Sequence, residues 1–155
     1  MTVHLLAAGK VTGAGLREAC DDYARRVNRH LRLVIREVRV GPAHAPPGVR
    51  TRVEGKRLLA ALPRGARAIA LTRAGQPETS VSFARKLAAW RMQGTDVAFL
   101  IGGAHGLAGE VLQRCDARMS LSALTLPHEI ARLVFLEQLY RAGTIIQGTP
   151  YHKGR

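Results

Sequence analysis

Two connections in this 155-residue chain carry residue types suited to holding a small heterocycle. The first is Ser120-Leu121-Ser122-Ala123-Leu124-Thr125-Leu126-Pro127-His128, which has no charged residue before its histidine and precedes the longest helical pattern. A connection built from leucines exposes apolar side chains unless something apolar covers them. The second, Ile101-Gly102-Gly103-Ala104-His105-Gly106, closes an apolar run with three glycines. Glycine lets backbone approach a ligand that a Cβ would obstruct, and the freed N–H and C=O groups can read a heterocycle's edge. Leu121, Leu124 and Leu126 are suited to sandwiching an aromatic base, each worth up to roughly 1.5–3 kcal/mol when fully buried.

Other chemistries fail on spacing. Gly13-Ala14-Gly15 follows a strand-like run, but the third glycine of a dinucleotide loop counted from Gly13 is Glu18, and neither Gly-Lys pair has Walker spacing. A plain tight turn is the reading there. His128-Glu129-Ile130-Ala131-Arg132 begins like a zinc-protease helix, yet Arg132 stands where the second histidine belongs. There is no nucleophile elbow, and Cys20 and Cys115 have neither CxxC spacing nor histidine company, so they read as small hydrophobes in a reducing setting. No metal is expected.

The elements that must position the two connections follow from periodicity. Residues 3–8 form a buried strand, and residues 16–28 a helix with Leu16, Cys20, Tyr23, Ala24 and Val27 on one face. Residues 31–40 alternate as a strand, residues 41–48 are a Gly/Pro loop, and residues 49–62 form a basic helix ending at Pro63. A strand over 67–72, a helix over 80–93, a strand over 96–101 and a short helix over 107–114 come next. The helix over 80–93 is expected to pack through Val81, Phe83, Leu87, Ala88 and Trp90. A short strand over 118–121 leads to a final helix over 127–146, with Pro127 in its first turn. Strands alternating with helices predict one α/β domain over residues 1–155, with a mostly parallel sheet of five to six strands and helices on both faces. Ligands in such sheets bind beyond the C-terminal strand ends, which brings Leu71-Thr72, Gly102-Gly103 and residues 121–126 together. The final helix is apolar on most of its surface, so its extra face meets either a partner chain or the rest of this chain.

The formal charge is +13, from 24 Lys+Arg against 11 Asp+Glu, and only four of the basic residues are lysine. Arginine's planar fork suits phosphate, so a nucleic acid is the expected partner. Residues 41–91 hold 10 basic and 2 acidic side chains, while residues 92–155 hold 6 and 5. A polyanion-gripping surface is thereby separated from a nearly neutral pocket region. The N-terminal apolar run is too short for a signal sequence, and no stretch approaches the roughly 20 residues a membrane span requires. A cytoplasmic protein without membrane contact is expected.

With these residues in place the chain resembles the SPOUT methyltransferases, and among them the RlmH type. The likeness rests on Ala8-Gly9-Lys10, Ile101-Gly102-Gly103 with Gly106-Leu107, residues 120–128, Glu137-Gln138-Leu139-Tyr140-Arg141-Ala142 and Tyr151-His152-Lys153. The resemblance implies a C-terminal trefoil knot, bound S-adenosylmethionine, and a homodimer whose active site uses both subunits. It implies methylation of N3 of a pseudouridine in large-subunit (23S) ribosomal RNA, on assembled ribosomes. Leu71, Gly102, Leu121, Ser122, Ala123, Leu124, Thr125 and Leu126 would contact the cofactor. Arg141, Tyr151 and Lys153 would face the RNA. His152 would take the N3 proton, Arg141 or Lys153 would stabilise charge on the base oxygens, and Tyr151 would stack on the base. The alternatives are a SPOUT enzyme acting on tRNA and a basic RNA-binding protein without catalysis.

Overall fold

The computed structural model describes residues 1–152. Its elements run β1 (Thr2–Ala8), α1 (Ala14–Val27), β2 (Arg32–Val38), α2 (Pro47–Ala61), β3 (Arg67–Pro77), α3 (Ser80–Met92), β4 (Val97–Ile101), α4 (Gly109–Arg114), β5 (Ala117–Ser120) and α5 (His128–Gln147). Five strands form one sheet in the order β2-β1-β4-β3-β5, every neighbouring pair parallel. Among the described residues no helix is long and apolar enough to cross a membrane.

Alternation along the strands divides the core into two layers, because successive side chains point to opposite faces. Val3, Leu5 and Ala7 of β1 and Val97, Phe99 and Ile101 of β4 meet α1, α3 and α5. Leu6, Ala8, Ala98 and Leu100 face the other way, against Leu58 of α2 and Val111 of α4. Both faces are covered, as a parallel sheet requires. The first layer is centred on Phe83, Phe99 and Phe135, with ring centroids 4.6–6.2 Å apart. Truncating Phe99 there costs about 3–5 kcal/mol.

Several sequence expectations change in detail. Ile35, which shares the apolar side of the alternating residues 31–40 with Leu31 and Leu33, and Val81 are exposed, since β2 is an edge strand and Val81 lies in the first turn of α3. That turn is fixed instead by a capping box: Thr79 Oγ1 accepts from Ser82 N–H at 3.1 Å and Ser82 Oγ from Thr79 N–H at 3.0 Å. Pro127 stands at the N-cap of α5, its carbonyl accepting from Ala131 N–H at 2.8 Å. The largest difference is β3, which continues past Thr72 to Pro77. Leu71 and Gln76 both register with Met119 of β5, so residues 72–75 bulge out of the ladder.

The apolar helix α5 packs between α1 and α3, burying Phe135, Leu136, Leu139 and Ala142. Leu133, Ile145 and Ile146 stay half-buried. Arg132, in the position that a zinc site would need as histidine, is buried and structural: Nη2 donates to Gly9 O at 2.7 Å and Nη1 pairs with Glu37. It ties α5 to the C-terminal ends of β1 and β2.

Candidate active site

The register pairs Ala70 with Leu100 and Leu71 with Met119, so the point where β3 leaves its ladder lies beside the C-terminal ends of β4 and β5. The connections leaving those ends line a half-open cavity of about 750 Å³, within the range of cofactor pockets. Leu71, Gly102, Leu121, Ser122, Leu124, Thr125 and Leu126 all line it. Ala123, expected beside them, is exposed and is not among its lining residues. Ala131, in the first turns of α5, closes the remaining side.

Each wall has its own physical cause. The glycine loop folds back on itself: Gly106 N–H donates to Gly103 O at 3.0 Å, and a Cβ on Gly102 would come within 2.3 Å of Gly106 backbone. Behind it the buried Glu54 of α2 accepts from Gly41 N–H at 3.0 Å, and its Oε2 lies 2.7 Å from where a Gly103 Cβ would stand. The leucine loop has no regular structure and is held by its serines. Ser120 Oγ donates to Ser122 O at 2.9 Å, and Ser122 Oγ accepts from Leu124 N–H at 3.0 Å. Leu124 is left 75% exposed at the pocket. An unbound apolar side chain there fits the covering of a flat aromatic base, which is the chemistry that an adenosyl group presents. Arg73, His105 and His128 also line the cavity, and no carboxylate does among the described lining residues. Arg73 escaped the sequence reading because nothing local announces the bulge.

Arg141, Tyr151 and His152 gather elsewhere, at the far end of α5. Gly148, at φ 69°, ends the helix in the left-handed region, and Thr149 N–H donates back to Thr144 O at 2.9 Å. The tail therefore folds onto the helix it has just left. Glu137 Oε1 accepts from Arg141 Nε at 3.0 Å, Arg141 Nη2 at 2.6 Å and the Tyr151 hydroxyl at 3.1 Å. Arg141 lies over the Tyr151 ring at 4.8 Å, and Tyr140 meets the same ring edge-on at 4.6 Å. Burial, the Tyr23 hydroxyl and the Glu137 charge hold the Tyr151 phenol well above its ordinary pKa, so it stays neutral. The bonds from Glu137 likewise raise Arg141. Arg141 Nη1 is 3.5 Å from His152 Nδ1. Lys153 lies outside the described residues.

The two clusters do not meet within one chain. Ala131 at the pocket and Arg141 in the tail cluster are separated by ten positions along α5, about 15 Å of helix.

Comparison with known proteins fits this layout. The chain is 46% identical over 155 residues to the ribosomal RNA large subunit methyltransferase H of Gemmatimonas aurantiaca, covering 99% of this chain and all of that protein. It is 44% identical over 153 residues to the Anaeromyxobacter dehalogenans protein of the same name, with the same coverage. Among solved structures, a putative methylase family protein from Neisseria gonorrhoeae shares the fold with a TM-score of 0.57 at 17% identity, covering 89% of this chain and 81% of that one. A family profile described as predicted SPOUT methyltransferase matches residues 1–152. A cavity at the C-terminal edge of a parallel sheet, walled by glycine and leucine loops, is thus found in a chain that belongs to the SPOUT methyltransferase family.

Proposed function

We propose that this protein transfers a methyl group from S-adenosylmethionine to N3 of a pseudouridine in 23S ribosomal RNA, acting in the cytoplasm on assembled ribosomes. The observation that carries the reading is the cavity where three strand ends meet, walled by backbone on one side and leucines on the other. The names of the full-length relatives support the RNA class. The basic surface supports it independently, with Arg52, Lys56, Arg64 and Arg67 all exposed in the most basic third of the chain.

When bound, S-adenosylmethionine supplies a methyl group already activated on a sulfonium, which leaves alignment and water exclusion to the protein. Leu121, Leu124 and Leu126 would cover the adenine, and the Gly102-Gly103 backbone would meet its edge. N3 of pseudouridine is an imide nitrogen that carries its proton at neutral pH, so a proton acceptor is needed. His152 fills that role through Nε2, which requires the ring proton on Nδ1. Arg141 presents its own donor to Nδ1 in this chain, so the productive arrangement draws His152 and Arg141 apart. Arg141, and Lys153 beyond the described residues, would then stabilise charge on the base oxygens while Tyr151 packs against the ring.

The separation along α5 supports a homodimer in which the tail cluster of one protomer completes the pocket of its partner. The half-buried Leu133, Ile145 and Ile146 are available to such an interface. A trefoil-knotted path through the leucine loop and α5 is part of the same reading, as is a single domain over residues 1–155.

The test is incubation of the purified protein with methyl-labelled S-adenosylmethionine and, separately, assembled ribosomes, free subunits and tRNA, followed by nuclease mapping of the label. Label on one pseudouridine of the large subunit is expected. Label in tRNA would reassign the substrate, and RNA binding with no label anywhere would leave a non-catalytic binding protein.

A further inference from the structure

We infer that Arg73 recognises the carboxylate on the methionine half of the cofactor. This rests on the reading of the cavity as a S-adenosylmethionine pocket.

The geometry starts with the bulge in β3. Because Leu71 and Gln76 both register with Met119, residues 72–75 leave the ladder at the pocket edge. Gly75 brings the strand back so close to β5 that a Cβ would lie 2.5 Å from the Met119 carbonyl carbon. The detour is therefore fixed by a residue that no side chain can replace without moving backbone. It carries Thr72 and Arg73 out of the sheet and into the lining of the cavity.

Charge then limits what Arg73 can do there. Among the described residues Arg73 makes no ion pair. His105 and His128 are the other titratable side chains of the lining, and no carboxylate joins them. Glu54 lies behind Gly103, engaged with the Gly41 amide. Arg73 is thus an exposed, permanently charged member of the lining with no carboxylate beside it there, and the planar donors of arginine match a carboxylate with two parallel hydrogen bonds.

The leucine side of the cavity suits the flat base, which leaves the amino-acid end of the ligand to the polar side. That end carries the ligand's one anionic group. A phosphate of the RNA is the competing anion. Arg73 lines the same half-open cavity as the leucines and glycines that would hold the cofactor, so the carboxylate is the partner the placement favours.

Calorimetric titration with S-adenosylmethionine and with its decarboxylated form, which keeps the sulfonium and the amine, tests this. The wild-type protein is expected to bind the carboxylate-bearing form about tenfold more tightly, the scale of one charge-assisted pair partly open to water. Arg73→Ala is expected to lose that factor for S-adenosylmethionine and to bind the decarboxylated form as well as wild type or better. Arg73→Lys keeps charge without the fork and should fall between. Equal wild-type affinity for the two forms overturns the inference without any variant. So does an equal loss for both in Arg73→Ala, or unchanged S-adenosylmethionine affinity with a raised KM for RNA, which would assign Arg73 to phosphate. A wild-type protein that binds neither form removes the pocket reading itself.

Discussion

The two ends of α5 solve different problems with different materials. At its N-terminal end the cavity is walled by leucine side chains and glycine backbone, with few charges. At its C-terminal end a carboxylate, a guanidinium, an imidazole and three phenol rings are drawn from α1, α5 and the tail into one cluster of hydrogen bonds and ring contacts. On the proposed reading the first end receives a flat, largely apolar ligand. On the same reading the second holds and moves charge. If binding and chemistry are divided in this way, variants at either end should move different observables.

The largest effect is expected at the glycine loop. Gly102→Ala pushes a Cβ to 2.3 Å from the Gly106 backbone, which has no flexible side chain to give way. S-adenosylmethionine binding should fall below detection by calorimetry, and turnover with it, while the circular dichroism of the sheet and helices persists. Retained binding would show that the loop does not shape the pocket.

Glu137→Gln is the matching lesion at the other end. It replaces the carboxylate that accepts from Arg141 and Tyr151 with a neutral amide. We expect kcat to drop about a hundredfold, with cofactor affinity within twofold of wild type, since removing a group shared by several charged partners costs about 2–3 kcal/mol of alignment. A comparable loss of cofactor affinity would mean that the two ends are not separable.

Leu124→Ala refines the pocket side. Because Leu124 is 75% exposed without ligand, its truncation should leave the urea midpoint unchanged yet weaken cofactor binding about tenfold, the value of the buried methyl and methylene groups that only the complex gains. A drop in stability instead would place Leu124 in the core.

The smallest effect concerns pH. The Tyr151 phenol is held above its ordinary value in the folded chain, first by burial and then by the Tyr23 hydroxyl and Glu137. A phenol in the unfolded chain loses its proton near pH 10. The folded state therefore keeps the proton more tightly, so this contribution is fully present below about pH 10 and declines as pH rises beyond it. Tyr151→Phe should cost about 1 kcal/mol near neutrality, a deficit that shrinks above pH 10 in urea unfolding. A deficit that grows with alkalinity would reverse the sign of the argument.

The sequence was informative in proportion to how local each feature is. The apolar runs in residues 3–8 and 96–101, the glycine loop and the leucine loop all depend on neighbours within a few residues, and the structure puts them where an α/β sheet should. Thr79 and Ser82 form a capping box whose spacing is present in the chain. Arg132 was readable only as a missing ligand. Its actual work, bonding Gly9 O across 123 positions, has no local trace.

The sequence by itself determined the strand and helix succession, the two loops and the uneven charge, because periodicity, backbone freedom and side-chain type act over short stretches. Family resemblance added the roles expected of the tail. Tertiary structure alone decided the strand order β2-β1-β4-β3-β5, the bulge that turns Arg73 into the pocket, and the return of Tyr151 onto Glu137 and Tyr23. Those depend on which distant surfaces bury each other best, and no local propensity encodes a partner a hundred residues away.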